Sequence, residues 1–188
     1  MIKLYDINSY TWEFSAIVVS CEKTDKGYKI LCDQTAFFPT AGGQDCDTGT
    51  LAGQKVLDVI IENDEVFHFV EKPIEVGAKV EGKIDFPVRL RKMQHHSAEH
   101  IVSGVANRLF GVSNVGFHLG DTDVTIDYDG VLTTENIKEI EVLANKAVCD
   151  NLKITAWYPN NAELEKISYR SKLELTENVR IVEICGID

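Results

Sequence analysis

The sequence lacks any long apolar segment. Its purely apolar runs, such as residues 16–19 and 56–57, are only a few residues long, whereas a membrane-spanning helix needs about 20 apolar residues. The N-terminus also lacks the basic segment, apolar stretch and small-residue cleavage site of a signal peptide. We therefore expect no membrane contact and a cytoplasmic location.

Basic residues are scarce, and cysteines are few. The 188 residues include 19 Lys and Arg against 30 Asp and Glu, and the resulting net charge of −11 disfavours binding to a polyanion such as a nucleic acid. The five cysteines are widely and irregularly spaced, which favours free thiols in a reducing compartment. With 44% apolar residues and only four prolines, the composition excludes disorder and predicts a globular protein.

The first part of the chain has the pattern of short strands. Between turn-forming residues, apolar residues alternate with polar ones or form brief clusters in segments 28–33, 55–61 and 65–70. His68 lies in the third segment, between Phe67 and Phe69, and is assigned no role. Short strands joined by short turns indicate a small antiparallel barrel or sandwich. We predict a β-barrel-like subdomain over residues 1–85.

The period of the apolar residues changes after residue 86. From Pro87 onward they recur every three or four positions until Gly111, a stop signal, which predicts a helix over 87–110. A second helix is expected to begin after Thr133 or Thr134, with strands at 124–128, 153–158 and 179–184 and a short helix at 162–167. Residues 86–188 are thus predicted to form a subdomain in which two long helices cover an antiparallel sheet, giving an α+β fold overall.

Two histidines stand four residues apart inside the first predicted helix. Side chains at this spacing lie one turn apart on the same face, so His96 and His100 can bind one metal ion together. Zinc proteases with a related motif need Glu directly after the first His, where Ser97 stands. Glu99 is expected to project from a different side of the helix. The alternative is a pair of partly exposed histidines that bind nothing.

A glycine pair marks a second candidate site. Gly42 and Gly43 allow positive φ angles and a close backbone approach, which would direct the amide of Gln44 into a pocket. The alternative is a turn between strands with a solvated Gln44. The spacing does not match a phosphate-binding loop.

Other residues are weaker candidates. Cys185 can offer a thiolate as a third zinc ligand, although a buried or terminal cysteine is the commoner case. His118 is expected in a loop between the first helix and a strand, where it either has a structural role or faces the same site as the histidine pair. Arg89, Arg91 and Lys92 form the densest basic cluster, which is either a solvated helix start or a surface that contacts phosphate.

Taken in order, these motifs resemble the editing domain of alanyl-tRNA synthetase and its free-standing relatives, the AlaX trans-editing proteins. The resemblance covers nearly the whole chain. Its elements are Leu4-Tyr5, Asp33-x-Thr35-x-Phe37-Phe38-Pro39, Gly42-Gly43-Gln44, Asp47-x-Gly49-x-Leu51, Gly82-x-Ile84-Asp85, His96-x-x-x-His100 and Val179-Arg180-Ile181-Val182-Glu183-Ile184. Phe38 replaces the family's usual Tyr, and Ala41 replaces the first of its three glycines, changes expected to alter pocket shape more than chemistry.

The resemblance implies hydrolysis of the ester in tRNA(Ala) mischarged with serine or glycine. It implies that His96 and His100 bind zinc and that Thr35 and Gln44 recognise the amino acid, with Thr35 as partner of the serine hydroxyl. A pocket that pairs with a hydroxyl can reject alanine strongly, whereas an apolar synthetase pocket cannot exclude serine strongly. The acceptor end of tRNA(Ala) would be the partner, and the basic cluster named above is expected to bind it weakly.

The C-terminus departs from the family, whose metal site is completed by a Cys-x-x-x-His element. If Cys185 is that cysteine, the histidine would be the position after Asp188; otherwise Ile184-x-Gly186-x-Asp188 precedes the element and both ligands are missing. On either alignment we expect an incomplete zinc site in a fragment of a longer protein. Two other functions stay open: a non-catalytic module that binds tRNA or a synthetase, and a metal hydrolase of small esters.

Overall fold

The chain divides into two compact units. The computed structural model describes residues 1–120, 123–167 and 179–187. Unit 1 runs from Met1 to Gln94 and unit 2 from His95 to Asp188. The sequence predicts a boundary between residues 85 and 86, at the start of the long helix, whereas the units divide inside that helix.

Unit 1 is built mainly from short strands. Its elements are β1 (Ile2–Lys3), α1 (Leu4–Ile7), β2 (Glu13–Thr24), β3 (Gly27–Cys32), β4 (Gln34–Thr35), β5 (Gly49–Leu51), β6 (Gln54–Lys55), β7 (Asp58–Glu62), β8 (Glu65–Val70) and β9 (Lys79–Ile84). Seven strands form one sheet in the order β6-β5-β9-β2-β3-β8-β7, and all neighbours in it are antiparallel. The remaining two, β1 and β4, pair in parallel.

The sheet of unit 1 is not a closed barrel. Its order ends at β6 and β7, so the antiparallel strands are as predicted but the barrel-like closure is corrected to an open sheet. The sequence also predicts a single strand over 55–61, where the structure has β6 and β7 separated by Val56 and Leu57. This break places the two short strands at opposite edges of the sheet.

An aromatic cluster lies in the core of unit 1. Phe14 and Phe37 are buried and contact each other edge to face, with ring centroids 6.0 Å apart, a favourable geometry for aromatic pairs. Opposite Phe14 on β9 stands Gly82, where an added Cβ would lie 2.3 Å from the Phe14 ring. The missing side chain at residue 82 therefore makes the space that the phenyl ring fills.

The long helix, α2, spans Phe86–Phe110 and contributes residues to both units. Its start near Pro87 and its end before Gly111, which has a φ of 67°, confirm the predicted helix over 87–110. The left-handed conformation at the residue after the helix is the usual way for glycine to end one.

Unit 2 combines helices with strand pairs. After α2 its elements are β10 (Asn114–Leu119), β11 (Val124–Tyr128), α3 (Thr134–Cys149), β12 (Ile154–Trp157), α4 (Asn161–Leu164) and β13 (Ile181–Ile184). Strands β10 and β11 pair antiparallel, as do β12 and β13. Thr133 caps α3 by accepting a hydrogen bond from the backbone N–H of Asn136, so the predicted start of this helix is confirmed. His118, expected in a loop, lies in β10 instead.

The core of unit 2 lies between α2, α3 and the strand pairs. One cluster contains Val105, Ala106 and Ile140, and another joins Ile101 and Ala147 to Ile184 of β13. The two long helices and the mixed α+β architecture expected from the sequence are therefore confirmed. Among the described residues, no helix has both the length and the apolar character needed to cross a bilayer. All five cysteines are free thiols, as predicted.

A buried ion pair joins three segments of unit 1 to α2. The guanidinium of Arg89, only 3% exposed, donates from Nε to Asp47 Oδ1 at 2.8 Å and from Nη2 to Asp47 Oδ2. It also donates to the carbonyl oxygens of Ala36 at 2.7 Å and Ser9 at 2.9 Å. Two buried charges are tolerated here because they are paired and hydrogen-bonded.

A second buried polar link connects β4 to β8. Thr35 and His68 have no exposed surface, and Thr35 Oγ1 lies 2.8 Å from His68 Nε2. His68 Nδ1 lies 3.3 Å from the carbonyl oxygen of Ile30, which can only accept, so Nδ1 carries the proton and Nε2 accepts from the Thr35 hydroxyl. Burial lowers the pKa of His68 to about 4, so the imidazole is neutral at pH 7.

We predict that Arg89→Ala lowers the free energy of unfolding by about 3–5 kcal/mol, because it leaves the Asp47 carboxylate buried and unpaired. Arg91→Ala changes an exposed residue of the same helix and should stay within about 0.5 kcal/mol of the parent. Urea unfolding measures both. The double variant Arg89→Met/Asp47→Leu should recover most of the loss, and failure to recover it would show that the lost carbonyl contacts dominate.

We also predict that acid destabilises the fold through His68. Its pKa is about 4 in the folded protein, below the ordinary value of 6.5, so the unfolded chain takes up the proton first as the pH falls. Stability present above pH 6.5 should therefore be lost between about pH 6.5 and pH 4, by roughly 3 kcal/mol. Urea unfolding across this range should show a weaker pH dependence in His68→Gln. Parallel curves for the two proteins would contradict the assignment.

Candidate functional site

The glycine pair forms a tight turn. Gly42 and Gly43 have φ angles of 60° and 82°, and the backbones of Ala41 and Gln44 exchange hydrogen bonds of 3.0 and 3.1 Å across them. Two positive φ angles in succession are typical of a type I′ turn. The turn leaves Gln44 only 7% exposed, so the alternative of a solvated glutamine is wrong.

Residues 38–47, which we call the glycine loop, are held at several points. At its base Asp47 donates its N–H to the carbonyl of Phe38 at 3.0 Å, and its carboxylate accepts from the N–H of Phe38 at 2.6 Å. From α2, Lys92 Nζ donates to the carbonyl oxygens of Asp45 at 3.0 Å and Cys46 at 2.7 Å. The loop that carries Gln44 is therefore fixed in place by the first turns of α2.

The basic cluster is divided between these internal contacts and the surface. Arg89 is buried against Asp47, and Lys92 is half-buried on the glycine loop, whereas Arg91 is exposed. The predicted contact of all three residues with tRNA stays a prediction, and Arg91 is the member that solvent reaches most freely.

Thr35 is fully buried, whereas a residue that contacts a substrate is expected to be accessible. Its hydroxyl donates to His68, as described above, and accepts from the N–H of Phe37 at 3.1 Å. His68 has no role in the expectations drawn from the sequence. A histidine between two phenylalanines on a strand indicates a buried polar side chain, and such a side chain requires a hydrogen-bond partner.

In unit 2, α2 brings three potential metal donors together. His96, Glu99 and His100 offer ligand atoms that all lie within 4.8 Å of one another. The two imidazole rings are stacked with centroids 5.1 Å apart, and the ring of Phe117 stacks on His96 at 5.6 Å. Burial, followed by the proximity of His100, lowers the pKa of His96. Neutral imidazole is the form of histidine that binds metal ions.

The position of Glu99 corrects the sequence analysis, which placed it on a different side of the helix. Residues three and four apart are both neighbours on a helix surface. Glu99 and His100 therefore both lie about one turn after His96, on either side of a line drawn through His96 parallel to the helix axis. The Glu99 carboxylate is 7% exposed, and its Oε2 lies 3.9 Å from His100 Nδ1.

The chemistry of these donors fits a zinc ion. Zinc in proteins takes imidazole nitrogens and carboxylate oxygens at about 2.0–2.2 Å, which puts tetrahedral ligand atoms roughly 3.4 Å apart. Cys185 is exposed, after β13, and within the described part of the chain it does not belong to the donor group.

Sequence comparisons give these observations a family context. No protein-family model matches the chain. The chain is 30% identical to the alanyl-tRNA editing protein Aarsd1 of Mus musculus over 96% of its own length and 48% of that protein. It is 31% and 33% identical to the alanine–tRNA ligases of Ignicoccus hospitalis and Natronomonas pharaonis, over 99% and 97% of its length and 22% and 21% of theirs.

The chain thus spans about half of the editing protein and about a fifth of each ligase. The matched region covers both units, including the glycine loop and the donors on α2. One domain type shared by an alanyl-tRNA editing protein and by alanine–tRNA ligases accounts for these alignments, as the sequence motifs imply. The similarity over nearly the whole chain to an alanyl-tRNA editing protein and to alanine–tRNA ligases supports an AlaX-type editing domain.

Proposed function

We propose that this chain hydrolyses the ester bond of tRNA(Ala) mischarged with serine or glycine. The observation that carries the proposal is the cluster of His96, Glu99 and His100, whose ligand atoms lie within 4.8 Å in a chain that aligns with an alanyl-tRNA editing protein. The reaction is a proofreading step in translation, and we place it in the cytoplasm. Five free thiols are consistent with a reducing compartment.

His96 and His100 are the proposed zinc ligands. A zinc ion bound there supplies a Lewis acid that can polarise an ester carbonyl or lower the pKa of water toward about 7. Phe117 holds the ring plane of His96 by stacking at 5.6 Å, which limits the directions in which its nitrogens can point. This restraint reduces the side-chain movement that His96 needs in order to bind the ion together with His100.

Gln44 and Thr35 are the proposed amino-acid recognition residues. Gln44 is supported by its burial and by the fixed geometry of the glycine loop. The hydroxyl of Thr35 uses its proton for His68 and one lone pair for Phe37, so only a hydrogen-bond donor, such as the serine hydroxyl, could still bind it. Because Thr35 is fully buried, such a contact requires a local opening, whereas an indirect role in shaping the site does not.

Electrostatics predicts weak binding of the tRNA. The chain carries a net charge of −11, two cations of the basic cluster bond internally, and Arg108 donates to the carbonyl of Gly186 at 2.6 Å. Few phosphate contacts give a shallow dependence of affinity on salt. Arg91, which is exposed, is the cluster member we propose to contact the tRNA backbone.

We expect zinc-dependent deacylation of seryl-tRNA(Ala), with His96→Ala reducing the rate at least about 100-fold because it removes a metal ligand. His118→Ala is the matched control, because His118 follows Phe117 on β10, points to the opposite face of the strand and is exposed. If neither the parent chain nor a protein extended past Asp188 shows turnover, a non-catalytic binding module is favoured. Turnover of small amino-acid esters without any response to tRNA would favour a small-ester hydrolase.

The role of Thr35 is tested by comparing two substrates. If its hydroxyl meets serine directly, Thr35→Val should lower kcat/KM for seryl-tRNA(Ala) about 10-fold or more relative to glycyl-tRNA(Ala), since glycine has no hydroxyl to lose. Thr35→Ser keeps the hydroxyl and should keep the ratio. An equal loss of kcat/KM on both substrates would show that Thr35 acts by linking β4 to β8. Gln44 would then be the remaining candidate for recognition of the amino acid.

A further inference from the structure

His68 and Thr35 form a polar pair inside the core of unit 1. In the sheet His68 stands between Ile30 of β3 and Val59 of β7, and the ring of Phe37 packs edge to face on its imidazole, with centroids 5.4 Å apart. Replacing both partners of a buried hydrogen bond by apolar groups of the same shape can be nearly neutral for stability. Stability alone therefore does not require a polar pair at this place.

The backbone decides where the protons of this pair lie. His68 Nδ1 is 3.3 Å from the carbonyl oxygen of Ile30, the residue opposite it on β3, and a carbonyl oxygen only accepts. Burial lowers the pKa of His68 to about 4, so at pH 7 the imidazole has a single proton, which is on Nδ1. Nε2 is consequently an acceptor and takes the hydroxyl proton of Thr35, 2.8 Å away.

The hydroxyl of Thr35 is therefore fixed in one orientation. Its proton is directed at His68 Nε2, and one of its two lone pairs accepts from the backbone N–H of Phe37 at 3.1 Å. One lone pair is left for a third partner. A hydroxyl that rotates freely can donate or accept, whereas this one can only accept. The imidazole thus determines which kind of group Thr35 can recognise.

We propose that His68 is a positioning residue that sets the polarity of amino-acid recognition. By holding the hydroxyl proton of Thr35, it makes the site select amino acids whose side chain donates a hydrogen bond. Serine belongs to this class, whereas alanine and an ether such as O-methylserine do not. A site that pairs with a substrate hydroxyl rejects analogues that lack it. The inference rests on the proposed function, because it requires that Thr35 contacts the substrate once the site opens locally.

Hydrolysis of tRNA(Ala) charged with serine or with O-methylserine tests this polarity. The ether oxygen of O-methylserine accepts but cannot donate, and the bulk of its methyl group is present in the assays of parent and variants alike. His68→Phe releases the hydroxyl proton of Thr35, so the preference for serine, measured as the ratio of the two kcat/KM values, should fall at least about 5-fold.

His68→Gln is the matched control. Its amide N–H can replace Nδ1–H and its amide oxygen can replace Nε2, so the preference should stay within about 2-fold of the parent value. In a Thr35→Val background, His68→Phe should also change the preference less than about 2-fold, because the residue through which it acts is gone. An unchanged preference in His68→Phe alone, or an equal change in both backgrounds, would overturn the proposal.

Two measurements do not depend on turnover. ¹⁵N NMR of the parent at pH 7 should show the proton of the His68 imidazole on Nδ1, and a proton on Nε2 would overturn the proposal whatever the tRNA results. If the parent does not hydrolyse seryl-tRNA(Ala), the proposed function fails, and the preference is taken from the dissociation constants of 3′-aminoadenosine that carries each amino acid through an amide. A preference for serine that falls in His68→Phe would leave the inference standing, whereas no binding or no preference would overturn it.

Discussion

The buried guanidinium of Arg89 is the constraint on which the candidate recognition loop depends. It joins α2 to Asp47 at one end of the glycine loop, to the carbonyl of Ala36 just before the loop, and to the carbonyl of Ser9 ahead of β2. The ion pair by itself is weak evidence for stabilisation of the fold, because the free energy gained by Coulomb attraction is offset by the loss of hydration of both charges. Together, the contacts of Arg89 determine where three chain segments meet, and this specificity keeps Gln44 in a defined position.

The parts of the fold that sequence analysis could predict are those with local signals. α2 has a regular apolar period and a glycine stop, and α3 has Thr133 as its cap. The long strand β2 was not predicted, because Ile17 and Val19 are apolar but exposed and so obscure the alternation of the buried residues. β10 contains Gly116 and an irregular register near Asn114, which hides its strand pattern and led to the wrong expectation of a loop at His118.

In the candidate site, too, only residues that are close in the sequence could be predicted to lie together. His96 and His100 are four residues apart, so helix geometry alone predicts that they are neighbours. Arg89 and Asp47 are 42 residues apart, and Thr35 and His68 are 33 apart, and nothing local indicates such pairs. Glu99 was misplaced for another reason. Residues three and four positions after His96 are neighbours on the same side of a helix, so the expectation that Glu99 projects from a different side is wrong.

The bonds that hold the glycine loop to α2 differ in what they demand of the loop sequence. Lys92 binds the carbonyl oxygens of residues 45 and 46, and Arg89 binds that of residue 36. Because every amino acid has a carbonyl oxygen, these contacts do not use the side chains at those positions, whereas the contact of Arg89 with Asp47 requires a carboxylate. The side chains around Gln44 can therefore differ while the backbone frame of the loop stays the same.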